Sequence, residues 1–337
     1  MTVNFALKKV LFFPFLIVFS FIFGQKIDTI QYSSKKIHAR GFACSNKQLF
    51  FANNNGEVIS YHLKTKQTKS YNSNDTLPEL RDIHLFENKL IAIQSGEIGN
   101  IILHDLKKQS NSKIRIQKNG KEVFLDGIAF DGKLGFLMGD PIDGNFSLFY
   151  SKDEGSTWKN CETEVKTYEG EAGFAASGST VHVIDGEFIF VSGGTHSRFF
   201  RSKDFGKTWE ISEIPFTQKD GAGAFSIAFK DSKNGVVVGG DYTAAKEKSN
   251  TCFITNNGGK TWTEAIIPPN GYRSCVYFSN GIYYCCGTTG IDFSIDNGMN
   301  WKSIATNNCF AITSDKKNIY FTTTKGSFLK MKKLALK

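Results

Sequence analysis

Ser151-Lys152-Asp153-Glu154-Gly155-Ser156-Thr157-Trp158 is the first of four copies of one eight-residue stretch. The others are S-K-D-F-G-K-T-W (Ser202 to Trp209), T-N-N-G-G-K-T-W (Thr255 to Trp262) and S-I-D-N-G-M-N-W (Ser294 to Trp301). All four tryptophans of the chain stand at the last position of a copy. The copies start 51, 53 and 39 residues apart. A period of about 40–50 residues in a strand-rich chain is the signature of a β-propeller.

Each copy reads as a β-hairpin turn. The leading Ser or Thr and the third-position Asp153, Asp204 and Asp296 can hydrogen-bond turn backbone. Asn257 replaces the Asp in the third copy, and Asn300 replaces the Thr in the fourth. Asn makes the same bonds, so both turns should persist. The fifth-position Gly permits a positive φ. Trp158, Trp209, Trp262 and Trp301 then supply large apolar faces, expected to be buried beside the next blade. Every position has a turn or packing role, so these stretches are read as structural.

Residues 1–24 read as a secretory signal: Lys8 and Lys9, an apolar run from Val10 to Phe23, then Gly24 before Gln25. The run is short for a membrane span, and no later segment is long and apolar enough to be one. The expected protein is therefore exported, periplasmic or extracellular. Its formal charge of +9 becomes +7 without the leader. No basic stripe or nucleic-acid module appears, so no nucleic-acid partner is expected. Seven cysteines are an odd number for an exported chain. None has metal-type spacing, although Cys275 and Cys285 can face each other across a hairpin. No metal or cofactor is expected: no P-loop, dinucleotide fingerprint or paired histidines occur.

Seven opening strands can be counted: Ala39–Ala43, Leu80–His84, Leu125–Ala129, Ala172–Ala176, Ala224–Ala228, Tyr272–Val276 and Asn308–Ile312. The fold class is thus all-β, a seven-bladed propeller over 25–330, followed by a basic tail, 331–337. Blades one, two and seven lack the eight-residue turn. Gly56, Gly99 and Gly326 are expected to mark their corresponding turns or loops. The last blade is one strand short, and Lys26–Tyr32 should close the ring as its outer strand. A monomer is expected.

Strand parity puts the eight-residue turns on one face, called the bottom. Strand starts and the loops between second and third strands then lie on the top. Only six arginines follow residue 24, and Arg40, Arg81 and Arg273 stand at strand starts. A guanidinium suits bidentate binding of carboxylate or phosphate. Asp126 and Glu171 stand near strand starts, with Asp140, Asp143, Asp241 and Tyr242 in Gly-rich top loops. These nine residues are the candidate ligand-binding set. The competing reading makes the Arg–Asp pairs ties between blades.

The eight-residue stretch resembles the Asp-box, or BNR repeat, of sialidase-like propellers. F-L-D-G-I-A-F (Phe124 to Phe130), G-D-P-I-D-G (Gly139 to Gly144), E-G-E-A-G-F-A-A-S-G-S (Glu169 to Ser179), F-S-I-A-F (Phe225 to Phe229), G-G-D-Y (Gly239 to Tyr242) and G-Y-R-S-C-V (Gly271 to Val276) add a second likeness. They resemble the bacterial exported branch of the photosystem II stability/assembly-factor propeller family. That resemblance implies a non-enzymatic binding or assembly module, docking an anionic small molecule or an exported or membrane protein. The alternative is a sialidase-like glycoside hydrolase, with Tyr242, Glu171 and Asp126 as nucleophile, partner and acid/base. An oxidoreductase, a loose label in the family, is a third reading and has no cofactor signature behind it.

Overall fold

The computed structural model describes residues 26–71 and 78–334; the expected leader, 1–24, lies outside them. The chain forms a seven-bladed β-propeller of antiparallel four-stranded blades, the sheet of blade 5 being extended by two short strands, Gly193–Gly194 and Glu171–Ala172. The innermost strands are Ala39–Cys44, Leu80–Leu85, Leu125–Asp131, Val181–Ile184, Ala222–Phe229, Cys275–Ser279 and Cys309–Ser314. The only helix among the described residues is a short 3-10 turn, Tyr242–Ala244.

Alternation in these strands places apolar side chains on both faces of each blade, and the core lies between blades. Ile91 and Ile101 of blade 2, for instance, pack with Leu137 and Phe149 of blade 3. The ring closes as expected. Ile27–Gln31 pairs antiparallel with Ser327–Lys332, with Ile27 opposite Met331 and Gln31 opposite Ser327. That last strand runs past the expected tail boundary at 331, and Met331 and Leu334 are both buried.

The eight-residue turns form as their chemistry dictates. In the first, Ser151 Oγ accepts from Gly155 N at 2.8 Å, and Asp153 accepts from Thr157 N and Oγ1. Asn257 donates to Thr261 Oγ1, and Asn300 donates to Asp296, so both variant turns persist. The tryptophans need two corrections. They pack on the preceding blade, not the next: Trp262 meets Phe199 of blade 4, and Trp301 joins Val236 and Cys252 of blade 5. Only Trp301 is buried; Trp158, Trp209 and Trp262 are half-buried.

Three further expectations change. Gly56, Gly99 and Gly326 fall between second and third strands, on the top face, and not at the third-to-fourth turns. Cys275 lies opposite Cys286; Cys285 lies opposite Val276. All seven cysteines are free thiols. Blade 4 opens at Val181, not at Ala172. Instead, Glu171–Ala172 pairs with Gly193–Gly194, and residues 173–180 run across the propeller axis. An unforeseen hairpin, Gln117–Lys118 with Lys121–Glu122, turns at Asn119-Gly120, where both φ angles are positive.

Candidate functional site

One irregularity, repeated around the ring, builds the site. The first strand pair slips register once in blades 1, 2, 3, 5 and 7. The slips fall between Ala39 and Gly41, Leu80 and Asp82, Leu125 and Gly127, Ala224 and Ser226, and Cys309 and Ile312. A bulge re-aims the side chain it holds. The re-aimed residues are Arg40, Arg81, Asp126, Phe225 and Phe310, and all five line one pocket on the axis. The pocket has a volume of about 400 Å³. Asp140, Tyr242, Tyr272, Phe174 and Phe124 complete most of its wall.

The segment 173–180 makes the floor. Arg40 Nη1 donates to Ala176 O at 2.8 Å, and Arg81 Nη1 to Ala175 O at 2.9 Å. Ser177 Oγ donates to Ser274 O at 2.7 Å, and Thr180 Oγ1 to Phe225 O at 3.0 Å. The segment thus ties blades 1, 2, 5 and 6 together across the centre. Gly178 needs to be glycine: its φ is +73°, and a Cβ there would overlap the Asp82 carboxyl.

Glu79 holds both arginines. Arg40 Nε lies 3.2 Å from its Oε1, and Arg81 Nη2 lies 3.0 Å from its Oε2. Arg40 also lies over the Phe310 ring, 5.4 Å from its centroid. Asp126 is fully buried, and its Oδ2 has no hydrogen-bond partner. Burial, reinforced by Asp140 and opposed by Arg81, holds its carboxyl well above the usual range. Burial likewise lifts Asp140 to about 6. Aromatic rings form the rest. Phe174 stacks on Phe225 at 4.0 Å, and Tyr272 stands edge-on to Phe225 at 4.8 Å.

The structure therefore brings together Arg40, Arg81, Asp126, Asp140 and Tyr242. It leaves four expected residues outside the pocket wall. Arg273 is fully buried and bonded to Asp292 within blade 6, with Nε at 2.7 Å, and to Thr289 and Tyr272 O. It stands one residue too early: Ser274 occupies the position matching Arg40 and Arg81, and a one-residue step reverses a side chain. Glu171 is buried against Arg198, with Nε at 2.8 Å and Nη2 at 2.6 Å. Asp143 pairs with Lys121 of the extra hairpin at 2.6 Å. Asp241 pairs with Lys219 at 2.7 Å and caps the short 3-10 turn. The sialidase-like set is not assembled, because Glu171 spends its carboxylate on Arg198, Ser192 and Tyr168 N. Tyr242, 55% exposed, stands at the pocket rim.

Glu79 and the aromatic wall escaped the sequence reading. The signal for the wall was present: Phe225 and Phe310 occupy the same strand-start position as Arg40 and Arg81. No group of three or more potential metal ligands occurs among the described residues.

A family model described as sortilin, neurotensin receptor 3 (Sortilin-Vps10), matches residues 146–281, a stretch that holds three of the four eight-residue turns. A search of curated proteins finds no match. Among solved structures, catalytically inactive virginiamycin B lyase from Staphylococcus aureus with quinupristin is similar, with a TM-score of 0.68 at 14% identity. The alignment covers 92% of this chain and 100% of that one. YCF48 bound to D1 peptide is similar with a TM-score of 0.63 at 12% identity, covering 91% of this chain and 97% of that one. The computationally designed Ika8 protein gives 0.59 at 12% identity, covering 92% and 100%. At such identities the likeness is one of fold: this chain is a propeller of the kind these proteins share.

Proposed function

We propose that the protein is an exported, non-enzymatic binding module, similar to the assembly-factor propellers, that docks an anionic group in its axial pocket. The anion belongs to a small molecule or to an exported or membrane protein partner. The observation that carries this reading is the pairing of two guanidinium groups, Arg40 and Arg81, on the single carboxylate of Glu79 at the pocket wall. Asp126 and Asp140 offset less charge than their number suggests, since burial favours their neutral forms. Aromatic walls and a volume of about 400 Å³ suit a small-molecule or single-side-chain ligand. The YCF48–peptide neighbour points the same way. Export rests on the leader-like sequence of residues 1–24.

Titration calorimetry with benzoate, phenylacetate, phosphate and an acidic peptide tests the reading. At least one anion should bind. Arg40→Ala should weaken it by about 1.5–3 kcal/mol, the range for a hydrogen bond to a charged group, without lowering the melting temperature greatly. No binding by any of the four, or binding indifferent to Arg40→Ala, would overturn it.

A further inference from the structure

Asp126 holds the blade 3 position whose counterparts in blades 1 and 2 are Arg40 and Arg81. It is 1% exposed, yet it lines the pocket with an unpartnered Oδ2. Arg81 acts on it by charge but makes no hydrogen bond to it. Arg81 gives Nε to Ser95, Nη1 to Ala175 O and Nη2 to Glu79. Asp140 is the second carboxyl on that wall. Two neighbouring carboxyls without protein donors, one of them fully buried, resist a double negative charge, so the pair keeps a proton. A carboxyl that keeps its proton is a hydrogen-bond donor. Arg40 Nη2 has no hydrogen-bond or ion-pair partner among the described residues, so a second donor is free. Phe174, Phe225, Tyr272 and Phe310 line the same pocket and form an aromatic wall suited to a flat apolar body.

We propose that the ligand is a small carboxylate with a flat apolar body, that Asp126 donates a hydrogen bond to its charged end, and that binding carries a proton into the site. The proposal rests on the anion-docking reading above and names its ligand class.

Charge balance requires the proton. Arg40 and Arg81 face Glu79 and one ionised member of the Asp126–Asp140 pair, so the empty wall is neutral. A monoanion entering alone would leave the wall negative. Solvent supplies a proton to the second carboxyl, an O–H bond forms, and neutrality returns; no bond of the ligand changes. The ionisable groups facing Asp126 are Arg81 with Glu79 from blade 2, Asp140 from its own blade, and Arg40 from blade 1. Tyr242 and Tyr272 line the pocket from blades 5 and 6 and the Cys309 thiol, raised by burial, from blade 7; Gly173 to Ala176 offer none. An added anion raises the pair's affinity for protons, so binding is tightest in acid and weakens as pH climbs past about 6, where Asp140 titrates.

Calorimetry of phenylacetate with the whole chain, in buffers of different ionisation enthalpy from pH 5.5 to 8, reads the proton directly. Uptake should approach one proton near pH 7, with affinity falling by up to about tenfold per pH unit. Asp140→Asn removes the carboxyl that takes up the proton, so it should abolish the uptake and bind at pH 8 at least as tightly as the wild type. Asp126→Asn leaves Asp140 in place and should keep the uptake, which decides the matter if the first variant does not fold. Phenylacetate should bind at least about tenfold more tightly than acetate, given the burial of its ring. Binding without proton uptake, uptake retained in folded Asp140→Asn or lost in folded Asp126→Asn, or equal affinity for acetate overturns the proposal and leaves anion docking standing. Indifference to Arg40→Ala overturns the docking reading itself.

Discussion

A guanidinium is worth what its neighbours leave of it. Arg40 and Arg81 share one carboxylate and keep a side toward the pocket, whereas Arg273 is fully buried and fully spent. Its Nε and Nη2 bond Asp292, and Nη1 bonds Thr289 and Tyr272 O. Arg273→Ala would therefore strand the Asp292 carboxylate inside blade 6. Removing one partner of a buried pair costs about 3–5 kcal/mol, and urea unfolding should show a loss of that size. Anion binding by the remaining folded protein should stay unchanged, because Arg273 is not part of the pocket wall. An intact midpoint with lost binding would contradict this. Residue identity alone did not separate these three arginines. What separates them is a backbone slip at the strand starts of blades 1 and 2, which turns positions 40 and 81 into the pocket; blade 6 has no such slip, and position 273 lies one residue before the matching place. Five of the nine expected site residues were legible because strand parity located the right face. Glu79 was not, because it precedes its strand and only tertiary folding sets it between two arginines.

At the scale of elements, the segment 173–180 matters most. Its G-F-A-A-S-G-S sequence has the apolar look of an opening strand, and strand propensity suggested one. Its carbonyls instead accept from arginines of blades 1 and 2, its Ser177 and Thr180 side chains donate to carbonyls of blades 6 and 5, and Val181–Ile184 takes the strand's place. Tertiary hydrogen bonds from arginine and serine override local propensity there. Gly178 is the hinge of this arrangement. Its φ of +73° and the Asp82 carboxyl beside it both exclude a side chain. Gly186 has φ +77° but open space within 4 Å of where a Cβ would stand, so it isolates the backbone cost. Gly186→Ala should cost about 1–2 kcal/mol from the left-handed conformation alone. Gly178→Ala should cost clearly more, and should also weaken anion binding, since the floor carries Ala175 and Ala176. Equal losses of stability for the two, read by thermal unfolding, would show that the segment yields at no cost.

On the scale of the whole molecule, the seven-fold count and the closing strand follow from the repeat and from the shortage of one strand in blade 7. The ring forces charged and polar groups toward a shared axis, and burial there gives the protein an unusual response to pH. Burial lifts Asp82 to about 7 and Asp140 to about 6, and holds Asp126 well above the usual range. Each favours its neutral form when folded. Their stabilising contribution is full below the ordinary value of 3.8 and is lost as pH rises through the folded values. Four histidines act in the opposite sense, with His38 and His104 also lowered by burial. Burial lowers His84 and His182 to about 4, so their contribution is full above 6.5 and is lost as pH falls through 4. Between about 4 and 6.5 the two sets largely cancel; above 6.5 the carboxyls act unopposed. The melting temperature should accordingly stay nearly level from pH 5 to 6.5 and fall from 6.5 to 8. Asp126→Asn, which cannot ionise, should reduce that fall. A melting temperature that rises across 6.5 to 8 in the wild type would mean that these axial carboxyls are ionised in the folded ring.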